Sequence, residues 1–453
     1  MHHRLLGFLR SFLLLTTACV PISQQGTPTA GPASPGGAKP VVFADKPLRT
    51  DDFVYEDRIR TVMLYPAAGD LDNPAAAALQ PAVLPIGQGT PLVLEFDEIG
   101  EGSQPFHARL YHCNADWTVS LLTDINFLAE YNDFLLTSYQ LSANTKTPYT
   151  HYRMEVPKVK LPGNYVLMVH REGNVKDIVL TRRMLVYDNT VDVRAKVTYA
   201  TGTGERNTNH QLEFTVQYRD YPIANPLEEI KVVLRQNYRP DNAITGLKPM
   251  NVRLDEKLLE YNNFNLENNF LAGNEFRFFD TRSILFLGTN VARVNPGPNR
   301  SEVLLAADRP RNREAYAQSD DFNGGFVIDH HETRQGATEA DYVATVFTLQ
   351  APEANGEVYV NGKFNDWQLD ERNRMAYSSE NGHYTARILL KQGIYNYDYA
   401  VVRAGSERRE EVYFEGSFFN TENTYEIIAY YRPLGARADR IVGYQVLYHN
   451  ARR

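Results

Sequence analysis

The chain has 453 residues, of which 43% are apolar and 23% charged, with a formal net charge of −8. That charge argues against an electrostatic nucleic-acid binder. The length allows two to four domains after a short N-terminal tether. Of the two cysteines, Cys19 lies near the N-terminus and only Cys113 lies in the part expected to fold, so no internal disulfide is expected and stability must come from apolar cores.

Residues 1–18 read as an export signal: Arg4 and Arg10 flank a short apolar core, and Thr16, Thr17 and Ala18 precede Cys19. The apolar run is about half the roughly 20 residues that a membrane-spanning helix needs. Cleavage before Cys19 and acylation of its thiol are expected, with residues 19–45 as a Ser, Gln, Gly, Pro and Ala tether too polar to build a core.

Beyond the tether, strand signals dominate. Residues 92–96, 107–113, 151–156, 164–170 and 177–187 mostly alternate apolar with polar, and Pro162-Gly163-Asn164 and Glu172-Gly173-Asn174 punctuate them as turns. Residues 46–188 are expected to form a first β-sandwich, with 121–139 as a short helix or long crossover loop. A second sandwich is expected over 189–335. A third, with C-terminal strands, is expected over 336–453, around the strand-turn-Trp pattern of 358–368 and the strands of 381–402. The fold class read from this pattern is all-β, with tandem immunoglobulin-like or E-set sandwiches.

Chemical motifs are weak throughout. His112 and Cys113 are neighbours on a strand and point to opposite faces, so they do not converge on one ion or substrate; Trp117, just beyond them, is expected to cap a core. His330-His331-Glu332 lacks the four-residue helical spacing of paired metal ligands. Asp321, Asn323 and Glu332 fall at calcium-loop positions, but Phe326 stands where that loop needs Gly. Thr201-Gly202-Thr203-Gly204 reads as a turn. No catalytic residue, metal or cofactor is expected, and the chain is expected not to be an enzyme. Candidate partner contacts are Phe276, Arg277, Phe278 and Phe279, where Phe and charge alternate, and Phe127, Tyr131 and Phe134 in the long loop.

Read together, the strings HCNADW (112–117), YTHYRMEVP (149–157), LPGNYVLMV (161–169), LAGNEFRFFDTRS (271–283), SDDFNGGFVI (319–328) and FEGSFFNTENTYEIIAYYRP (414–433) resemble the plug protein family of the type IX secretion system of the Bacteroidetes. The resemblance spans almost the whole mature chain. It implies a subunit that closes the periplasmic opening of the giant outer-membrane translocon barrel while no cargo is present. It also implies two partners, that barrel and, through Cys19, the lipid bilayer, and a location on the periplasmic face of the outer membrane. The absence of an acidic run after Cys19 agrees with that face. Gly362 to Trp367 and Gly393 to Tyr397 separately resemble the E-set fold of glycogen-binding modules. This second resemblance implies an alternative, a glycan-binding lipoprotein of a polysaccharide-uptake system, with Trp367 and Tyr397 as sugar contacts; it requires Trp367 to be exposed beside Tyr397.

Overall fold

The computed structural model describes residues 45–67, 74–87, 89–219, 221–406 and 408–451. The expected signal, Cys19 and nearly all of the tether lie outside them.

The first ten strands are β1 (Phe53–Val54), β2 (Ile59–Pro66), β3 (Val83–Pro85), β4 (Leu92–Ile99), β5 (Phe106–Cys113), β6 (Phe134–Leu135), β7 (Ser138–Leu141), β8 (Tyr149–Glu155), β9 (Gly163–Arg171) and β10 (Ile178–Tyr187). They make two facing sheets, one ordered β1-β10-β9-β5-β6 with β3 on β10, the other β2-β4-β8-β7. Alternate positions such as Phe96, Phe106, Leu110, Tyr152 and Leu167 turn inward and fill the space between them. The less regular stretch after Trp117 holds one short helix, Asp124–Phe127, before β6 and β7.

The next strands are β11 (Asp192–Tyr199), β12 (Asn209–Gln217), β13 (Ile230–Gln236), β14 (Asn251–Arg253), β15 (Leu258–Tyr261) and β16 (Asn269–Leu271). All but β13 form one sheet. The chain then enters β17 (Arg277–Asp280), β18 (Val291–Asn295), β19 (Glu302–Leu305), β20 (Phe326–Ile328), β21 (Tyr342–Leu349), β22 (Gly356–Asn361), β23 (Ala376–Ser378), β24 (His383–Lys391), β25 (Gly393–Arg403) and β26 (Arg409–Glu410). These build the third sandwich, with β18-β19-β21-β24-β23 on one side. On the other, the long β25 pairs with β17 and β20 through its first half and with β22 and β26 through its second. Only afterwards come β27 (Asn423–Tyr431) and β28 (Arg440–His449).

Those last two strands do not extend the third sandwich. They pair as β13-β27-β28 and close the second, from Ile230 opposite Tyr431 to Gln236 opposite Tyr425. The third sandwich is therefore inserted into the second, and it starts near Arg277, well before residue 335, where chain order places the boundary. The reason is burial on two faces: Tyr425, Ile427 and Ala429 fill the second core, while Ile428 and Tyr430 pack with Leu185 against the first sandwich. A strand covered on both sides reads as a continuous apolar run, which carries no information about its partner.

Polar side chains bridge every seam between the sandwiches. Between the first and third, Lys391 Nζ lies 2.6 Å from Asp97 Oδ2 and Tyr342 donates its hydroxyl to the same oxygen at 2.7 Å, while from within the first sandwich His151 Nδ1 meets Asp97 Oδ1 at 2.8 Å. Between the first and second, Tyr430 donates to Asn164 Oδ1 at 2.9 Å, and the Ala115 N–H donates to Asp439 at 2.9 Å. Between the second and third, Arg239 pairs with Glu411, and Arg409 pairs with Asp241.

Candidate functional site

Most of the residues nominated from sequence turn out to be interior. Phe279 is fully buried in the third core, stacked on Tyr395 at 5.2 Å. Phe276 is buried edge-on to Trp367, and Phe278 is half-buried. Arg277 is buried too: it donates to Glu415 Oε1 at 2.9 Å, Asp308 Oδ1 at 2.7 Å and Arg309 O at 2.7 Å. The alternation of Phe with charge thus marks a strand whose two faces both meet protein, and it offers no partner surface. Trp367 and Tyr397 are 5% and 2% exposed. Trp367 lies under the Arg239 guanidinium at 4.0 Å, and the Tyr397 hydroxyl is spent on Asp308. The exposed indole that the glycan reading requires is absent, because a neighbouring sandwich covers it.

The long loop is different. Phe127 and Leu128 drop into the first core as a wedge, so Phe127 is also not a surface contact. The wedge is held from below: the Lys160 N–H donates to Phe127 O, and Lys160 Nζ donates to Ile125 O at 2.9 Å. Asn132 is buried and mimics a strand neighbour, accepting from the Leu110 N–H and donating to Leu110 O, both at 2.8 Å. Asp133 sits 2.9 Å from His107 Nδ1. With those residues spent inward, the others point out: Leu121 and Ile125 are each 78% exposed and Tyr131 79%. Leu135, Tyr139 and Leu141 are exposed as well, while Phe134 is half-buried. β7 is the edge of its sheet and all four of its residues are exposed. Of the nominated residues in this loop, Tyr131 alone is fully exposed.

Leu121, Ile125, Leu135, Tyr139 and Leu141, exposed as well, were not singled out from sequence, although most of them lie in the long loop that was. Apolar residues normally signal burial, and only the anchoring of Phe127 and Asn132 reveals which ones are left outside. One signal was readable: from Val119 to Thr145 the chain carries Asp124, Glu130 and Asp133 but no Lys or Arg.

His112 and Cys113 are both buried. Burial lowers the His112 pKa to about 4 and pushes the Cys113 thiol up to about 12. His112 packs edge-on to Tyr165 at 5.0 Å and meets Ser120 Oγ at 3.0 Å, a structural setting for a neutral ring. His330 is engaged with Thr333 and Glu332, and His331 packs on Phe286. Asp321 accepts from the Phe276 and Asn323 N–H groups in a turn. Among the described residues no three His, Cys, Asp or Glu side chains gather as a metal set.

Three interlocked sandwiches with an exposed apolar band along one outer edge define an all-β, multi-sandwich architecture. Residues 59–188, the first sandwich, match the first domain of the type 9 secretion system plug protein. A crystal structure of a hypothetical protein from Parabacteroides merdae is similar over 89% of this chain and 100% of that one, at 30% identity and a TM-score of 0.82. The chain belongs to the type 9 secretion system plug protein family. No functionally curated protein matches it.

Proposed function

We propose that the chain closes the periplasmic opening of the secretion system's outer-membrane translocon barrel while no cargo occupies it, acting by binding and not by catalysis. In this reading an acylated Cys19 holds it at the periplasmic face of the outer membrane, and the band formed by Leu121, Ile125, Tyr131, Leu135, Tyr139 and Leu141 is the docking surface. The observation that carries it is this band, because large exposed apolar side chains clustered on one edge mark partner contacts. It lies on the sandwich that matches the plug domain. The polar seams add support: a body that occludes a wide pore must resist deformation, and each seam here is cross-linked by buried, partnered groups.

The test is native purification of the tagged chain from its own envelope, with the wild type compared against a Leu121→Ser, Ile125→Ser, Tyr131→Ser variant. A very large outer-membrane barrel should accompany the wild type and be lost from the variant, and cells carrying the variant should admit large solutes. Absence of a barrel from the wild-type capture would overturn the function; a barrel retained in full by the variant would overturn the surface.

A further inference from the structure

A strand at the end of a sheet presents unpaired backbone groups, and charged side chains are the usual device that keeps other chains from pairing with them. β2, β11, β13, β18 and β28 each end a sheet, and each carries at least one Lys or Arg. β7 also ends its sheet, yet its sequence Ser-Tyr-Gln-Leu holds no charge and no Pro, and its register with β8 is unbroken. All four residues are exposed.

The ladder fixes which of its backbone groups stand free. Ser142 donates its N–H to Tyr149 O at 2.8 Å, and antiparallel pairing alternates, so Ser138 and Gln140 bond toward β8 while Tyr139 and Leu141 turn their N–H and C=O groups outward. The next N–H on that side, of Ala143, donates to Thr338 O at 2.9 Å. Among the described residues no strand pairs with the outer edge of β7, and no hydrogen bond engages the outward groups of Tyr139 and Leu141.

The side chains show which face lacks a neighbour. Tyr139 lies opposite Tyr152, whose ring it approaches at 5.9 Å, and Leu141 lies opposite Thr150. Tyr152 belongs to the first core, so Tyr139 and Leu141 project from the core-facing side of the sheet, at its rim, where they are 50% and 60% exposed. Two residues join β7 to β6, the last strand of the facing sheet, so both sheets stop on this side of the sandwich. From Val119 to Thr145 there is no Lys or Arg, and Glu130 is exposed in the loop before β6. One more strand beside β7 would satisfy the free backbone groups and cover the two side chains together, the geometry by which extended peptides add to a sheet edge.

We propose that β7 takes up an extended segment of a partner chain by strand addition, the segment being apolar at alternate positions, to cover Tyr139 and Leu141, and carrying Lys or Arg at its ends. The inference rests on the reading of this rim as a docking surface. What it adds is the mode of docking, backbone pairing, which holds whichever partner supplies the segment.

The probe is a fluorescein-labelled peptide, Lys-Thr-Val-Thr-Val-Thr-Lys, titrated with the full chain and followed by fluorescence anisotropy, beside a copy whose two valines are N-methylated and cannot donate to β7. The unmethylated peptide should bind saturably and its methylated copy about tenfold more weakly or worse. Leu141→Pro removes one outward N–H and leaves the ladder to β8 intact, since Pro is tolerated on the open side of an edge strand. It should weaken the peptide by about tenfold or more, whereas Leu141→Ala, which keeps the N–H, should weaken it by less than about threefold. No saturable binding, a methylated copy that binds as tightly, or equal losses from Leu141→Pro and Leu141→Ala would each overturn the proposal. The methylated copy is compared on the wild type and decides the matter even if the Pro variant folds poorly. Peptide binding with no barrel in the native capture leaves strand addition standing and overturns the translocon reading; a captured barrel without peptide binding does the reverse.

Discussion

The inner and outer sides of the first sandwich invert the usual placement of polar and apolar groups in opposite ways. On the inner side, Asp97 of β4 and His151 of β8 are buried against the third sandwich, where Lys391 and Tyr342 satisfy them. Burial works to raise the Asp97 carboxyl, but the Lys391 charge and the His151 hydrogen bond more than offset it and hold its pKa below the usual range. On the outer side, Leu121, Ile125 and Tyr131 are largely exposed, with little of the described chain over them. The inner inversion is satisfied within the molecule, and the outer one is the docking surface proposed above. That contrast separates a structural seam from the proposed docking surface within one domain.

Removing one member of the inner set should have the largest effect. Lys391→Met leaves Asp97 buried beside an apolar stem and should cost about 3–5 kcal/mol in denaturant unfolding, with Asp97→Asn recovering part of the loss in the double variant. The next effect is a pH dependence. His112 and His210 are each held by burial at a pKa of about 4 against an ordinary 6.5. The unfolded chain therefore takes up protons that the folded chain refuses, and stability present above pH 6.5 is lost as pH falls toward 4, by up to roughly 3 kcal/mol per ring. Asp321 and Asp366, raised to about 7 and about 6 chiefly by burial, act in the opposite sense. The informative measurement is thus the difference between wild type and His112→Asn, whose slope over that window should be shallower.

A smaller loss should follow Gly163→Ala, because a Cβ at Gly163 would come 2.3 Å from His112 Nε2. Overpacking of this kind costs about 1–3 kcal/mol, read as a lowered melting temperature. Smallest of all, the Leu121, Ile125 and Tyr131 serine variant should stay within about 0.5 kcal/mol of wild-type stability. If it instead loses stability on the scale of Lys391→Met, the band is structural and the contrast between the two sides fails.

The period-two alternation of residues 92–96 and 107–113 made the sandwich class legible, since one buried face is enough to impose it. The same local rule misled at Phe276 to Phe279, where both faces of the strand meet protein. It was silent at β27, where no residue is exposed. Tyr131 was nominated from sequence and is exposed, but its equally exposed neighbours Leu121 and Ile125 were not singled out, because nothing local distinguishes an apolar side chain that enters a core from one that faces water.

By itself, then, the sequence determined the all-β class, the positions of the long strands and the family resemblance, all of which rest on patterns a few residues long or on strings matched in order. Tertiary structure alone decided that β27 and β28 return to close the second sandwich, that Trp367 is covered by Arg239, and that the apolar side chains beyond Trp117 remain outside. Each of these depends on which distant surface arrives to cover a residue. Burial is a property of that pairing, and no local periodicity encodes it.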